Sequence, residues 1–544
     1  MNYDHPDRHL DIKIVLEELS GSKLLRDYQA TEPQALGFYA GDWKKLESYR
    51  HIANEIDKKF DKVARERALD TFRLPEGFSE ERCDSWVNEC GLVVSTGQQP
   101  GLLGGPLYTL YKALSAIQLA SRLENTLGRV VIPVFWIASE DHDWEEVNQT
   151  YFIDREDHVV KVALENEDHG GRSIHRVLLS SEISRLIDEV SQGIGEKGFR
   201  DDCMKLFREC YREGTDLGSA LGEMLLKVLG PKGLVILDSN NTTLKSHSRE
   251  LLITELEHAQ STEIRLKNWN DSLSERGYEL QVPILDKAVN LFMESNEGRE
   301  RIYRDGDVFV LRKSGRILTL EQIEELSGKD LSILSPNVLL RPIVEASVLP
   351  VVSYVAGPGE LAYYAQLKPL YEIHGINMPI LYPRHSATLI ETKIQRKMSK
   401  LGLSLEDCER PAQDIFSSIA RGEISDSINV VIDKLKAQIE EHSDDLLVQV
   451  SKFDSTLQGS VTKSRNTSLA GIDGLNRKII RSFKRKNEET LNQVETVRSH
   501  LFPNGNRQER VLNPFFYLAR YGELLIEELI SSFEVELTDE EDRG

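Results

Sequence analysis

The sequence predicts an α/β fold built on a parallel sheet and followed by a long helical arm. Three observations carry that prediction. Short apolar runs at Leu92–Val94, Val130–Ala138, Gly233–Leu237, Val351–Ala356 and Pro379–Tyr382 have the make-up of central strands buried on both faces. Two of them break into glycine loops that open onto helical spacing, the beginning of a βαβ unit. From about Ser425, apolar residues repeat every seven at Ile432, Ile439, Leu446 and Phe453, and Ile428, Leu435 and Leu457 complete the seam.

At 544 residues the chain needs several cores, since one rarely serves more than ~250–300 residues. A formal net charge of −22 excludes a general nucleic-acid binder, which needs a basic face. No apolar run reaches the ~20 residues that span a bilayer. The opening MNYDHPDRHLDIK is too polar for a secretory signal, so no membrane association and a cytoplasmic location are expected. The five cysteines (Cys83, Cys90, Cys203, Cys210, Cys408) form no CxxC pair, which signals neither a zinc cluster nor a disulfide framework. No metal-ligand set is assigned.

In chain order, residues 1 to about 90 read as a helical cap with a break at Leu74-Pro75-Glu76-Gly77. The strand at Leu92 leads into a loop holding Gly97, Pro100, Gly101, Gly104, Gly105 and Pro106. A helix follows through Leu107, Leu110, Leu114, Ile117 and Ala120. Pro106 suits the first helical turn, and backbone donors at a helix N-terminus suit an anion. The spacing is neither a dinucleotide fingerprint nor a Walker A loop, and a tight turn needing glycine only for its backbone angles is the alternative. The next strand ends in Ser139-Glu140-Asp141-His142-Asp143, where ligands of open α/β sheets collect. Asp141, His142 and Asp143 can bind a metal, orient an amine or shuttle a proton; otherwise they are a solvated loop leading into Glu145 and Glu146.

Alternation from Gln149 to Leu179 suggests a hairpin with turn residues at 167–171, and His158, His169 and His175 share no ligand spacing. Helices follow from Ser181 to Gly230. After the strand ending at Asp238 come a helix from about Thr243 to Arg276 and strands at Tyr278–Val282, Val289–Met293 and Val308–Leu311. The second glycine loop, Gly357-Pro358-Gly359-Glu360, precedes a helix from Leu361 to Ile373 with Tyr363 and Gln366 on an exposed turn. Two such loops in one sheet can flank a crevice. Arg341 and Arg384 suit a carboxylate or phosphate, and equally a structural ion pair. In the arm, Ile472, Leu475, Ile479, Leu491, Val494, Val497 and Leu501 can return antiparallel, with Gly471 and Gly474 near the start. Such a hairpin makes a dimer contact or an intramolecular bundle. Gly505 and Asn506 can hold positive φ and turn the chain back to the core.

The strings STGQQPGLLGGPLYTLYKA and VIPVFWIASEDHDWEEVN resemble the bacillithiol biosynthesis cysteine-adding enzyme family. So do Asn290-Leu291-Phe292 with Arg299 and Arg301, and the blocks 335–391 and 502–514; together they span most of the chain. The resemblance implies a Rossmann-type core similar to class I synthetases and nucleotidyltransferases, with connecting-peptide insertions and a coiled-coil domain that forms a homodimer. The domains then read as 1–148, N-terminal helices and first half of the core; 149–230, insertion; 231–390, second half with a further insertion; 391–501, coiled coil; and 502–544, a return to the core. Lys397-Met398-Ser399-Lys400 spells most of the KMSKS signature of class I synthetases, but Leu401 replaces its last serine, and the match reads as coincidence.

The implied reaction joins L-cysteine to glucosaminyl malate. Amide formation in water requires an activated carboxyl, an acyl-adenylate or acyl-phosphate, so ATP/ADP with Mg2+ is expected. The expected catalytic residues are Asp141, His142, Asp143 and Glu360. Those expected around substrate or phosphate are Gly97, Gln98, Gln99, Gly101, Gly104, Gly105, Tyr108, Lys112, Ser139, Asn290, Arg341, Gly357, Gly359, Tyr363, Gln366 and Arg384. Two alternatives remain: a nucleotidyltransferase-like enzyme acting on another small metabolite, and a nucleotide-binding scaffold whose coiled coil recruits the catalyst. Turnover by the purified protein separates these classes.

Overall fold

The computed structural model describes residues 10–539 except 166–169, 196–197, 424–425 and 487, with side chains described outside 420–423, 426–427, 429, 483–484 and 486. His169 therefore lies outside the described residues.

The core is a five-stranded parallel sheet. Strand β1 (Leu92–Gln98) leads through the first glycine loop into helix α1 (Leu107–Leu127), which returns the chain to β2 (Val131–Ile137). Strand β3 (Val235–Asp238) precedes the long helix α2 (Thr242–Glu275). Strand β4 (Val351–Ala356) leads into the short helix α3 (Pro358–Tyr364), and β5 (Ile380–Pro383) closes the set. The spatial order is β5-β4-β1-β2-β3, all parallel, which is the doubly wound order 3-2-1-4-5. Every residue of β2 and β4 is buried, which explains their unbroken apolar sequence. Gly128, in the left-handed region at φ 67°, ends α1.

Inserted between α2 and β4 is an antiparallel sheet in the order Ile317–Leu318, Val308–Leu311, Gly298–Asp305, Ala288–Ser295, Leu334–Pro336. It packs on α2 and overhangs the carboxyl end of the parallel sheet. A hairpin is present as Gln149–Ile153 paired with Val159–Ala163, but it turns at Asp154–His158 instead of 167–171, and the second expected run holds a short 3-10 helix at Ile174–Arg176.

The arm consists of α4 (Asp426–Phe453), α5 (Gln458–Lys486) and α6 (Glu488–Leu501). Its two long helices run antiparallel, with Lys436–Asp473 at 2.6 Å and Arg465–Asp444 at 3.0 Å joining them. Ile432 and Ile472 are buried, whereas Leu446 and Phe453 are 51% and 87% exposed, so one chain leaves part of the heptad seam open.

The structure corrects several local expectations. The first described element is a strand, Ile12–Glu17, paired antiparallel with Ser386–Glu391, rather than part of a helical cap. Tyr278–Val282 is no strand, because the Gln366 side chain accepts the backbone N–H groups of Gln281 and Val282. For the same reason Gln366, like Tyr363, is buried instead of exposed. The helix expected over Leu361–Ile373 is two short ones, Pro358–Tyr364 and Lys368–Ile373. Gly471 and Gly474 sit inside α5; the reversal falls at Asp454–Leu457, where the Asp454 carboxylate accepts from the Thr456 N–H. Positive φ occurs at Asn504 and Gly505, while Asn506 is extended. Lys397 and Lys400 reach Asp157 and Glu489, and Met398 is buried, so the KMSK string supports the base of the arm.

Candidate functional site

Strand order reverses between β1 and β4, and there the loops leaving the two strands diverge. A cavity of about 520 Å³ opens at that point. Its walls come from the carboxyl ends of β1, β2 and β4, from Phe292, Arg299 and Arg301 of the antiparallel sheet, and from Arg510 of the C-terminal segment.

A buried polar chain forms one side of it. Lys112, on the second turn of α1, donates to the Gly97 carbonyl at 2.7 Å and to Gln98 Oε1 at 3.0 Å, and pairs with Glu360 at 2.6 Å. Glu360 also accepts from the Tyr354 hydroxyl at 2.6 Å and from the Gly357 N–H at 2.7 Å, which caps α3. Arg341 donates to Tyr354 and Tyr363 and pairs with Glu345 at 2.8 Å. Burial lowers the affinity of Lys112 for its proton and Glu360 acts against that. The chain locks the β1 loop to the β4 loop.

The opposite side carries the acid–histidine run. Asp141 Oδ2 accepts from Gln99 Nε2 at 2.6 Å, tying the exits of β1 and β2 together. Its Oδ1 accepts from the His142 backbone N–H at 2.7 Å. His142 Nδ1 lies between Asp141 Oδ1 at 3.4 Å and Arg299 NH1 at 3.3 Å. Burial pushes the Asp141 carboxyl up, but His142, the Arg299 charge and Gln99 outweigh it and hold the group at about 2. Asp141 is therefore a fixed anion suited to orienting a cationic amine. Arg299 is pinned by Ser335 and the Pro336 carbonyl, both at 2.8 Å, and burial brings it down to about 10. Asp141, His142 and Asp143 offer ligand atoms all within 4.8 Å of one another.

Of the residues singled out from sequence, the cavity gathers Asp141, His142, Asp143, Glu360, Gly97, Gln98, Gln99, Tyr108, Lys112, Arg341, Gly357, Gly359, Tyr363 and Arg384. Six others lie off it. The Ser139 hydroxyl donates to Asp238, whose carboxyl burial pushes up to about 6. Asn290 bridges Glu255 and Asn337, and Gln366 holds the segment after α2. Gly101, Gly104 and Gly105 form a packing turn: a Cβ on Gly101 would stand 2.7 Å from the Gly105 Cα. The first amide of α1, Leu107 N–H, is taken by the Leu512 carbonyl. Gly104→Ala should be destabilising by about 2–4 kcal/mol, from a left-handed φ and overpacking. The added methyl would sit 2.9 Å from Met224 and 3.1 Å from Phe515 at φ 99°. A thermal melt unchanged from the parent would refute this.

Sequence reasoning left Tyr354, Glu140, Lys245, Glu509 and Arg510 out of the site. Lys245 contacts Glu140 beneath the cavity wall and donates to the Leu334 carbonyl at 2.9 Å. Arg384 lines the cavity with its guanidinium gripped by Glu509. Glu140 stood in the strand-end run Ser139–Asp143 and Tyr354 in the apolar run of β4, whereas the signal for Glu509 and Arg510 was the charged string Arg507-Gln508-Glu509-Arg510 beside apolar residues.

Residues 10–385 match the family described as bacillithiol biosynthesis BshC, N-terminal Rossmann-like domain, and 387–539 match its C-terminal coiled-coil domain. Three relatives carry the curated name "Putative cysteine ligase BshC". The one from Salinibacter ruber is 29% identical over 93% of both chains. The one from Chlorobaculum tepidum is 30% identical over 91% of this chain and 88% of its own. The one from Prosthecochloris aestuarii is 31% identical over 93% and 94%.

Proposed function

From the fact that the chain belongs to the bacillithiol biosynthesis BshC family, we propose that it is a ligase forming an amide between the L-cysteine carboxyl and the amine of glucosaminyl malate, with ATP activating the carboxyl. The observation that carries the chemistry is the Asp141-His142-Asp143 run at the end of β2, facing the cavity at the sheet's switch point. The cysteine carboxylate attacks ATP to give an acyl-adenylate with release of pyrophosphate, or an acyl-phosphate with release of ADP. The amine nitrogen then bonds the acyl carbon, AMP or phosphate leaves, and the nitrogen gives up a proton. Asp141 orients the incoming amine as an anion, and His142 is the nearby group able to take the proton. Glu360 and Arg384, saturated by protein partners, serve by holding the loops rather than by touching the reacting atoms. The carboxylates of Asp141 and Asp143 suit the Mg2+ that accompanies ATP, and such an ion would offset phosphate charge. A reaction that consumes ATP and free cysteine supports a cytoplasmic location. Among the described residues no helix is long and apolar enough to cross a membrane.

The test is to incubate the purified protein with ATP, magnesium, cysteine and glucosaminyl malate and follow thiol product and nucleotide by mass spectrometry. Product with AMP supports the adenylate, and product with ADP the acyl-phosphate. A protein that binds nucleotide yet forms no product overturns the reading.

The open seam of the arm supports a homodimer: Leu446 and Phe453, one heptad apart, present apolar side chains to solvent. Sedimentation equilibrium should give twice the chain mass, and Phe453→Asp should weaken that association. A monomer at micromolar concentration removes the proposal.

A further inference from the structure

We propose that Arg301 is the residue through which the cavity reads an anionic oxygen group of its ligand. Five arginines line the cavity. Arg341 is paired with Glu345, Arg384 with Glu509, and Arg299 is held by Ser335, the Pro336 carbonyl and His142. Arg301 differs. It lies in the strand Gly298–Asp305, half-buried, with its guanidinium 4.6 Å from the centre of the Phe292 ring. The Arg299 guanidinium is 4.0 Å from the same ring. Among the described residues no carboxylate and no hydrogen-bond acceptor engages Arg301. Burial accordingly lowers its hold on the proton; Tyr303 acts weakly against that, and no carboxylate does.

A cation withdrawn from water and left unpaired is unfavourable until an anion reaches it. The contact with Phe292 holds the guanidinium in place while leaving its N–H fork without a protein acceptor, and such a fork takes a carboxylate or phosphate in two parallel hydrogen bonds. Arg301 stands beside Arg299, which contacts His142, so an anion held there lies next to the acid–histidine run. The exposed Arg510 carries no acidic partner among the described residues either, but exposure makes that unexceptional. The half-buried Arg301 is the one that needs a ligand.

The choice of probes rests on the ligase reading; the measurement does not require turnover. Full-length protein is titrated calorimetrically with glucosaminyl malate, with the methyl glucosaminide that lacks its carboxylates, and with ADP. Arg301→Gln should weaken one anionic ligand by about tenfold or more, the scale of a lost charge-assisted pair, and leave the methyl glucosaminide unchanged. Arg301→Lys, which keeps charge but loses the fork, should fall between. Weakened glucosaminyl malate assigns Arg301 to the acceptor carboxylates, and weakened ADP assigns it to a phosphate. Arg312→Gln, at an exposed arginine that stacks on Tyr303 just past the strand Val308–Leu311, is the control for net charge and should alter neither. Unchanged affinity for both anionic ligands in a folded Arg301→Gln protein overturns the proposal. So does a wild-type protein that binds neither. Binding sensitive to Arg301 without product formation would retain this inference and reject the ligase.

Discussion

Replacing Glu509 by Ala should destabilise the protein by about 3–5 kcal/mol, the range for removing one partner of a buried ion pair. The Arg384 guanidinium meets both Glu509 carboxylate oxygens at 2.7 Å, and their side chains are 2% and 4% exposed. Ser386 Oγ adds a hydrogen bond to the same carboxylate at 2.9 Å. In Glu509→Ala, Arg384 keeps the His385 carbonyl as a hydrogen-bond partner and the Tyr108 ring at 5.8 Å, and stays a desolvated charge with no counter-ion of its own. The neighbouring Gln508 donates to the Leu389 and His500 carbonyls and accepts from the Leu389 N–H. The pair therefore sits where the returning C-terminal segment docks on the sheet. Arg384→Met with Glu509→Leu should recover much of the loss, since an apolar pair of similar volume leaves no charge stranded. Urea denaturation of both single variants and the double variant measures this coupling. A Glu509→Ala protein within about 1 kcal/mol of the parent would show that the pair is as well solvated as a surface bridge.

The contrast between Arg384 and Arg301 shows what the sequence could and could not convey. Apolar runs, four of them ending in glycine or acid, located all five strands of the parallel sheet, because burial on both faces leaves an unbroken signature in a single segment. The heptad spacing located the arm for a similar reason. Partners are a different kind of information. Arg384 and Glu509 are 125 residues apart, and no local pattern tells a saturated arginine from one awaiting an anion. The glycines of the first loop carried the same ambiguity. Gly97 lines the cavity, whereas Gly104 is small because Met224 and Phe515 crowd it, a requirement visible only after distant segments pack. The strand Ile12–Glu17 was missed because its partner, Ser386–Glu391, lies at the far end of the core.

Asp141→Asn should lower ligation by about 10²–10³-fold while the fold persists, the range for removing one preorganised electrostatic group from a reacting centre. The amide keeps the shape and can still meet Gln99, but it removes the one carboxylate held ionised by His142, Arg299 and Gln99 together. Gln99→Leu should produce a smaller loss, because Asp141 stays charged but is no longer tied to β1. A rate unchanged by Asp141→Asn would remove that carboxylate from the mechanism. Stability against pH supplies a check independent of turnover. The folded-state value of Asp141 is depressed from 3.8 to about 2, so its contribution is fully present above the unfolded value and is lost as pH falls towards about 2. Near neutrality that contribution is about 2 kcal/mol. The gap in unfolding free energy between the parent and Asp141→Asn should therefore be constant from pH 7 to about 5 and shrink below about 4. A gap that persists undiminished to pH 2 would mean that the asparagine disturbs packing rather than charge. In that case the rate loss could not be credited to the ionised carboxylate.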